Sequence, residues 1–232
     1  MNNPQTIALI TGLEFEARIA RRVIKPTGSG DIVLVAGLGA PSANEVVAKA
    51  IEAGVSGIVS FGVCGGLDPA LPAGSVVVPK AILGPEAISV DLGWHSRLTD
   101  LLKDDFDITS NSLLSVEKTV ATTEEKAVLY KQTGACAVDM ESAVLARQAA
   151  LCDLAFIAVR VVHDPASQTL PAAFKDIIKS NGQLDGWKLV KGLIFNWPGA
   201  PALKQMSNND QQARGNLESL TRLALPGFGI GG

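Results

Sequence analysis

Residues 135–164 read ACAVDMESAVLARQAALCDLAFIAVRVVHD. A short apolar run at 135–138 meets Asp139, Met140 and Glu141, after which Ala143, Val144, Leu145, Ala146 and Leu151 recur at helical spacing. Residues 154–162 form a nearly unbroken β-branched and apolar run, as expected of a strand buried on both faces, and the run stops at His163-Asp164-Pro165. The stretch therefore reads as strand, helix, strand, with acidic residues where each strand ends. Ligands of open α/β sheets bind in the crevice outside the carboxyl ends of the strands, so Asp139, Glu141 and Asp164 are expected to converge on one pocket.

Upstream the same alternation continues. Residues 6–10 read as a strand leaving through Thr11-Gly12, and 14–24 as a helix with Phe15, Ile19 and Val23 inward. A strand over 31–36 leads through Gly37-Leu38-Gly39 to a helix over 41–53 with proline in its first turn. A third strand over 57–61 runs into the glycine loop Gly62-Val63-Cys64-Gly65-Gly66-Leu67, and a fourth covers 74–79. Strands are expected at 88–90 and 112–116, and helices at 96–103 and 123–132, the latter opened by Thr122 or Thr123 with Glu125 behind it as a capping box. After Pro171 the pattern is helical at 172–180, 184–195 and 217–225, interrupted by Pro198 to Pro201 and by the polar stretch 207–216. No internal repeat is visible.

Composition fits one sizeable α/β domain: 232 residues, 47% hydrophobic and 19% charged. A formal net charge of −3 leaves no basic footprint, which argues against a nucleic-acid partner and for a small molecule. Cys64, Cys136 and Cys152 have neither disulfide-framework nor zinc spacing, and a reduced cytoplasmic location is expected. The first residues lack the basic and apolar regions of a signal sequence, and no run reaches the ~18 apolar residues of a membrane span.

Each chemical group has a structural reading beside it. The glycines at 62, 65 and 66 either cradle an anion or ribose with backbone N–H groups or let the chain turn after a buried strand. The motif is neither GxGxxG nor a P-loop. Glu14, Glu16 and Glu141 stand where helices start, a common place for acids that complement the helix dipole, and Asp164 before a proline is also a turn former. His163 is either a proton shuttle or a hydrogen-bonded wall residue, and the wall is preferred. His95 is given no role and no metal is expected.

Four motifs together resemble the nucleoside phosphorylase/nucleosidase family: Glu14-Phe15-Glu16; Phe61-Gly62-Val63-Cys64-Gly65-Gly66-Leu67 with Gly74-Ser75-Val76-Val77-Val78-Pro79; Ala137-Val138-Asp139-Met140-Glu141-Ser142; and Val159-Arg160-Val161-Val162-His163-Asp164. The nearest branches are the methylthioadenosine/S-adenosylhomocysteine nucleosidases and, from Asp-Met-Glu-Ser and the helical tail, the hopanoid-associated phosphorylases. The resemblance implies a single-domain three-layer α/β/α fold over 1–232, with a central mixed, partly barrel-like sheet flanked by helices and 182–232 as a helical C-terminal extension of the same domain. It implies that Glu16 activates the attacking water, Glu141 accepts the ribose hydroxyls, Met140 lies under the ribose, Asp164 protonates or hydrogen-bonds the purine N7 and Arg160 supports that acid. Gly62, Val63, His163 and Thr119 fall at substrate-binding positions. No cofactor is implied, and a homodimer or larger assembly is, with the apolar helices at 41–53 and 123–133 offered for pairing.

The departures shape the expected activity. Val63 stands where relatives carry a serine, His163 where the nucleosidases have serine before the aspartate, and Thr119 where a phenylalanine stacks on adenine. Family phosphorylases place arginine near Glu16, whose carboxylate would repel phosphate, although Arg18 and Arg21 could compensate. The leading expectation is hydrolysis of the N-glycosidic bond of a 5′-substituted adenine nucleoside, ahead of phosphorolysis of adenosylhopane. From another class stands a nucleoside-binding protein that lost turnover. Trp187, Phe195 and Trp197 with Lys188 and Lys191 would suit peripheral contact with a membrane carrying a lipid-linked substrate, while packing onto the domain is the commoner use of such a stripe.

Overall fold

The structure is a computed structural model and describes residues 5–37, 39–170 and 200–230. Four parallel strands build its centre. β1 (Ile7–Thr11) lies between β2 (Ile32–Val35) and β3 (Gly57–Gly66), and β10 (Ala155–Asp164) runs along the other edge of β3. Their side chains are apolar on both faces because helices cover both, which is why these segments read as continuous rather than alternating runs. Every residue of β1 is buried.

Among the described residues, ten strands form one mixed sheet. β1 occupies the edge of β3 only as far as Ser60, and beyond it β9 (Ala137–Asp139) joins the same edge antiparallel at Gly65 and Gly66. From β9 the sheet continues through β8 (Leu113–Ser115) and β5 (Ala81–Leu83) to β6 (Ala87–Ser89). Past β10 it continues through β4 (Val76–Val77) to β7 (Ile108–Thr109). Long β3 and β10 thus bridge two sub-sheets, and the carboxyl ends of β1, β9 and β10 meet where they join.

Among the described residues the α-helices are α1 (Glu14–Ile24), α2 (Ala43–Glu52), α3 (Leu92–Leu102), α4 (Thr123–Thr133), α5 (Ser142–Leu151) and α6 (Ala200–Ala224). α6 packs on α1, α3 and β10, while α5 packs on α2 and β10. The chain end closes over α3: Trp94 Nε1 donates to the Phe228 carbonyl at 2.6 Å, Arg97 donates to the carbonyls of Gly229 and Ile230, and Asp31 accepts from the backbone N–H groups of both Ile7 and Gly227. Among the described residues no helix is long and apolar enough to cross a membrane.

Helix α1 has the bounds its pattern indicates, and α4 carries the Thr122–Glu125 capping box. Five expectations need correction. The glycine loop at 62–67 is mostly strand, since β3 continues to Gly66 in register with β10. The fourth strand shrinks to Val76–Val77. Helix α3 starts four residues early because Asp91 caps it, accepting from Trp94 N at 2.8 Å, and α2 starts at Ala43 rather than at the proline. The polar stretch 207–216 is the middle of α6, whose Ala213, Leu217, Leu220 and Ala224 give a buried stripe at spacings of three and four. The expected helices at 172–180 and 184–195, with the tryptophans at 187 and 197, lie outside the described residues.

Candidate active site

A cavity of about 380 Å³ opens at the carboxyl ends of β1, β9 and β10, within the ~300–1,000 Å³ common for small-molecule sites. Its wall includes Glu16, Val63, Thr119, Met140 and Glu141. His163 and Asp164 line it as well. Arg160 and Gly62 stand immediately behind, against Glu141 and Glu16, so the expected catalytic and substrate-binding positions come to one place.

Glu16 sits in the first turn of α1 yet points inward, 2% exposed. Its Oε2 accepts from Leu13 N and its Oε1 from Val63 N, both at 2.8 Å. Val63 thus contributes through its backbone, which a missing hydroxyl does not affect. Burial raises the Glu16 pKa above its ordinary value, against the pull of Arg160 and these N–H groups, and a carboxylate so raised is a stronger base.

Arg160 organises the carboxylates. Its Nη2 lies 2.6 Å from Asp139 Oδ2 and 3.7 Å from Glu141 Oε2, and donates to Ser60 Oγ at 2.7 Å and Ser142 Oγ at 3.1 Å. Asp139 also accepts from the backbone and hydroxyl of Ser142. In Asp-Met-Glu-Ser the aspartate and serine therefore position the arginine, while Met140 and Glu141 face the ligand space. Thr119 contacts the same corner, its Oγ1 lying 3.8 Å from Met140 Sδ.

The glycines of β3 make room for these charges. Gly62 pairs with Arg160 across the ladder, and a Cβ built on it would lie 2.6 Å from Glu16 Cδ and 2.8 Å from Arg160 Nη1. A Cβ on Gly65 would approach Asp164 Oδ2 at 3.2 Å, and one on Gly12 would meet Glu141 Cδ at 2.9 Å. Space for side chains, rather than a turn or an anion cradle, accounts for them.

One guanidinium faces the three buried carboxyls of Glu16, Asp139 and Glu141. The imbalance falls on Glu141, whose pKa is pushed up to about 8 by burial, by Asp139 and by Glu16, with Arg160 opposing. A carboxyl with proton affinity raised in this way can offer a ligand hydroxyl a donor as well as acceptors. A group that binds its proton more tightly folded than unfolded stabilises the fold at low pH, and that contribution is lost as pH rises through the folded value. Glu141, ordinarily at 4.5, loses its share by pH 8, and His163, raised from 6.5 to about 9, loses its share by pH 9. The unfolding midpoint should therefore fall between about pH 6.5 and 9, less steeply in Glu141→Gln; a midpoint that climbs across that window would contradict this charge arrangement.

Asp164 is tied down by a residue the sequence reading passed over. Lys126, fully buried on α4, places Nζ 2.7 Å from Asp164 Oδ2 and donates also to the carbonyls of Asp164, Pro165 and Gln168. Beside Asp164, His163 holds Nδ1 3.7 Å from Asp164 Oδ1 and Nε2 3.4 Å from Asp210 Oδ1 on α6. Burial opposes the imidazolium, but these two acids outweigh it and raise His163 to about 9. Asp210 is held down to about 2 by His163 and by Arg214, which lies 2.7 Å away and stacks over the Phe15 ring at 4.1 Å. His95 serves the core: its Nε2 bonds the Val78 carbonyl at 2.9 Å, and burial lowers its pKa.

Fold and site together gather acidic side chains and a histidine on one cavity at the carboxyl ends of a mixed α/β sheet. The family model of the phosphorylase superfamily matches residues 13–184, and the chain belongs to that superfamily, a family of enzymes that cleave glycosidic bonds. No curated protein matches the sequence. Among solved structures, the 5′-methylthioadenosine/S-adenosylhomocysteine nucleosidase of Neisseria meningitidis, in complex with methylthio-immucillin-A, is similar at a TM-score of 0.70 and 17% identity over 95% of this chain and 98% of the other. The Helicobacter pylori nucleosidase of the same description gives 0.67 and 14% over 94% and 98%. Futalosine hydrolase of H. pylori gives 0.64 and 16% over 88% and 98%. At these identities the likeness concerns the fold.

Proposed function

We propose that the protein hydrolyses the N-glycosidic bond of an adenine nucleoside substituted at its 5′ position. The observation that carries this reading is the buried Glu16, held by two N–H bonds on the wall of a cavity that also presents Asp164 and His163. A ribosyl oxocarbenium-like transition state calls for nearby negative charge and the departing base for a proton, and the site has groups for both. Glu16 takes the proton of the attacking water, Glu141 and Met140 hold the ribose, and the Asp164–His163 corner meets the purine. The nucleosidases of like fold bind analogues of such nucleosides.

Water is preferred to phosphate because of the charges on the wall. Glu16 occupies the Val63 N–H that an anion would use. Arg18 is exposed and Arg21 pairs with Glu14 at 2.9 Å, so neither lines the cavity. A second reading, phosphorolysis of adenosylhopane in hopanoid side-chain synthesis, draws on the apolar wall of Phe15, Val63, Leu170 and Met206. The test is to incubate the protein with methylthioadenosine, adenosylhomocysteine, adenosine, inosine and the lipid nucleoside, with and without phosphate, and to follow free base. Phosphate-independent adenine release is expected. A strict phosphate requirement would favour the second reading, and no release from any substrate would leave a binding protein.

A further inference from the structure

Resting on that reading, the identity of the group that hands the base its proton follows from hydrogen-bond capacity. Asp164 has little to offer. Its Oδ2 accepts from Lys126 at 2.7 Å and its Oδ1 faces His163 at 3.7 Å, so the carboxylate is flanked by two basic side chains, one on each oxygen. Lys126 itself is fully buried with four acceptors around Nζ and cannot reach substrate.

His163 is differently placed. It lines the cavity with its side chain 22% exposed, and its two nitrogens lie 3.7 and 3.4 Å from Asp164 and Asp210. Both distances exceed the ~2.7–3.2 Å of an ordinary N–H···O bond. The ring thus lies between two carboxylates at ion-pair distance rather than in a short hydrogen bond to either. Among the described residues, the charged groups facing it or its partners are Asp164 on β10, Lys126 on α4 behind that acid, and Asp210 with Arg214 on α6.

We propose that His163 is the catalytic acid of the reaction, donating an N–H proton to the purine N7, and that Asp164 and Asp210 are positioning residues that orient the imidazolium. As the C1′–N9 bond breaks, its electron pair passes to the base, which leaves neutral because N7 has gained the His163 proton. The water oxygen bonds to C1′ and the water proton goes to Glu16; transfer of one proton from Glu16 to solvent and one from solvent to His163 restores the site. The sum is nucleoside plus water giving free base plus sugar. With its pKa raised to about 9, His163 carries the proton across the neutral range.

A substrate that needs no proton isolates the step. N7-methylation of the nucleoside makes its base leave neutral without an acid, so methylthioadenosine and its 7-methyl derivative are compared in wild type, His163→Gln, Asp164→Asn and Asp210→Asn. In His163→Gln, kcat on the unmethylated nucleoside should fall about 10²–10³-fold, while the 7-methyl substrate keeps its wild-type rate within about tenfold, which also shows that the variant is folded. The wild-type rate should fall above about pH 9, and Asp210→Asn should move that limb to lower pH. Equal losses on both substrates in His163→Gln, or selective loss in Asp164→Asn alone, would overturn the assignment. A wild type active on both whose His163→Gln variant is unimpaired overturns this inference and spares the hydrolase reading; a wild type active on neither sinks both.

Discussion

Replacing Glu16 by Gln should reduce base release by about 10³-fold or more, within or beyond the range for loss of a general base. The amide keeps the shape of the carboxyl but cannot take the proton of water, and one of its ends must present an NH₂ group to Leu13 N or Val63 N, both donors. That mismatch costs stability too, on the order of 1–3 kcal/mol for one buried donor left without an acceptor. Activity and unfolding must therefore be measured side by side. A variant that is folded and retains more than about a tenth of wild-type turnover would remove Glu16 from the chemistry.

Replacing Arg160 by Met should produce the largest loss of stability. The guanidinium is 1% exposed and is the cation shared by Asp139, Glu141 and Glu16. Removing it leaves three buried carboxyls crowded without compensation, and loss of one partner of a buried ion pair costs roughly 3–5 kcal/mol. Arg160→Lys should recover part of this, because an ammonium restores the charge but not the fork that serves Asp139, Ser60 and Ser142 together. Denaturant titration reads the difference. A loss in Arg160→Met below about 1 kcal/mol would mean that the acids are neutral and the network is not electrostatic.

Where a sequence signal is local, it was legible. The start of α1 at Glu14, the Thr122 cap of α4 and the acids ending β9 and β10 all depend on neighbours within four residues. The glycines of β3 were misread as a loop because whether a glycine makes a turn or makes room depends on Glu16, Arg160 and Asp164, which are remote in sequence from it. Lys126 was invisible for a similar reason: on α4 it resembles any solvated helical lysine, and only the return of β10 buries it against Asp164. Asp210 and Arg214 did carry a signal. They are an i,i+4 pair of opposite charge on a helix whose apolar spacing was present at 213, 217, 220 and 224, and their polarity masked it.

The site has a division of labour consistent with its burial. Arg160 and Lys126 behind the wall, and Asp139 at its edge, find several partners each and fix geometry. On the wall, Glu16, Glu141 and His163 have raised proton affinity and Asp210 a lowered one, and perturbed groups gathered in one cavity mark a candidate site of acid–base chemistry.

The central claim, that water attacks C1′ of an adenine nucleoside, is tested most directly by running the reaction with methylthioadenosine in heavy-oxygen water containing ordinary phosphate, and taking the mass of the sugar released. The account predicts free adenine and a sugar carrying one heavy oxygen at C1′. An unlabelled sugar 1-phosphate would contradict it.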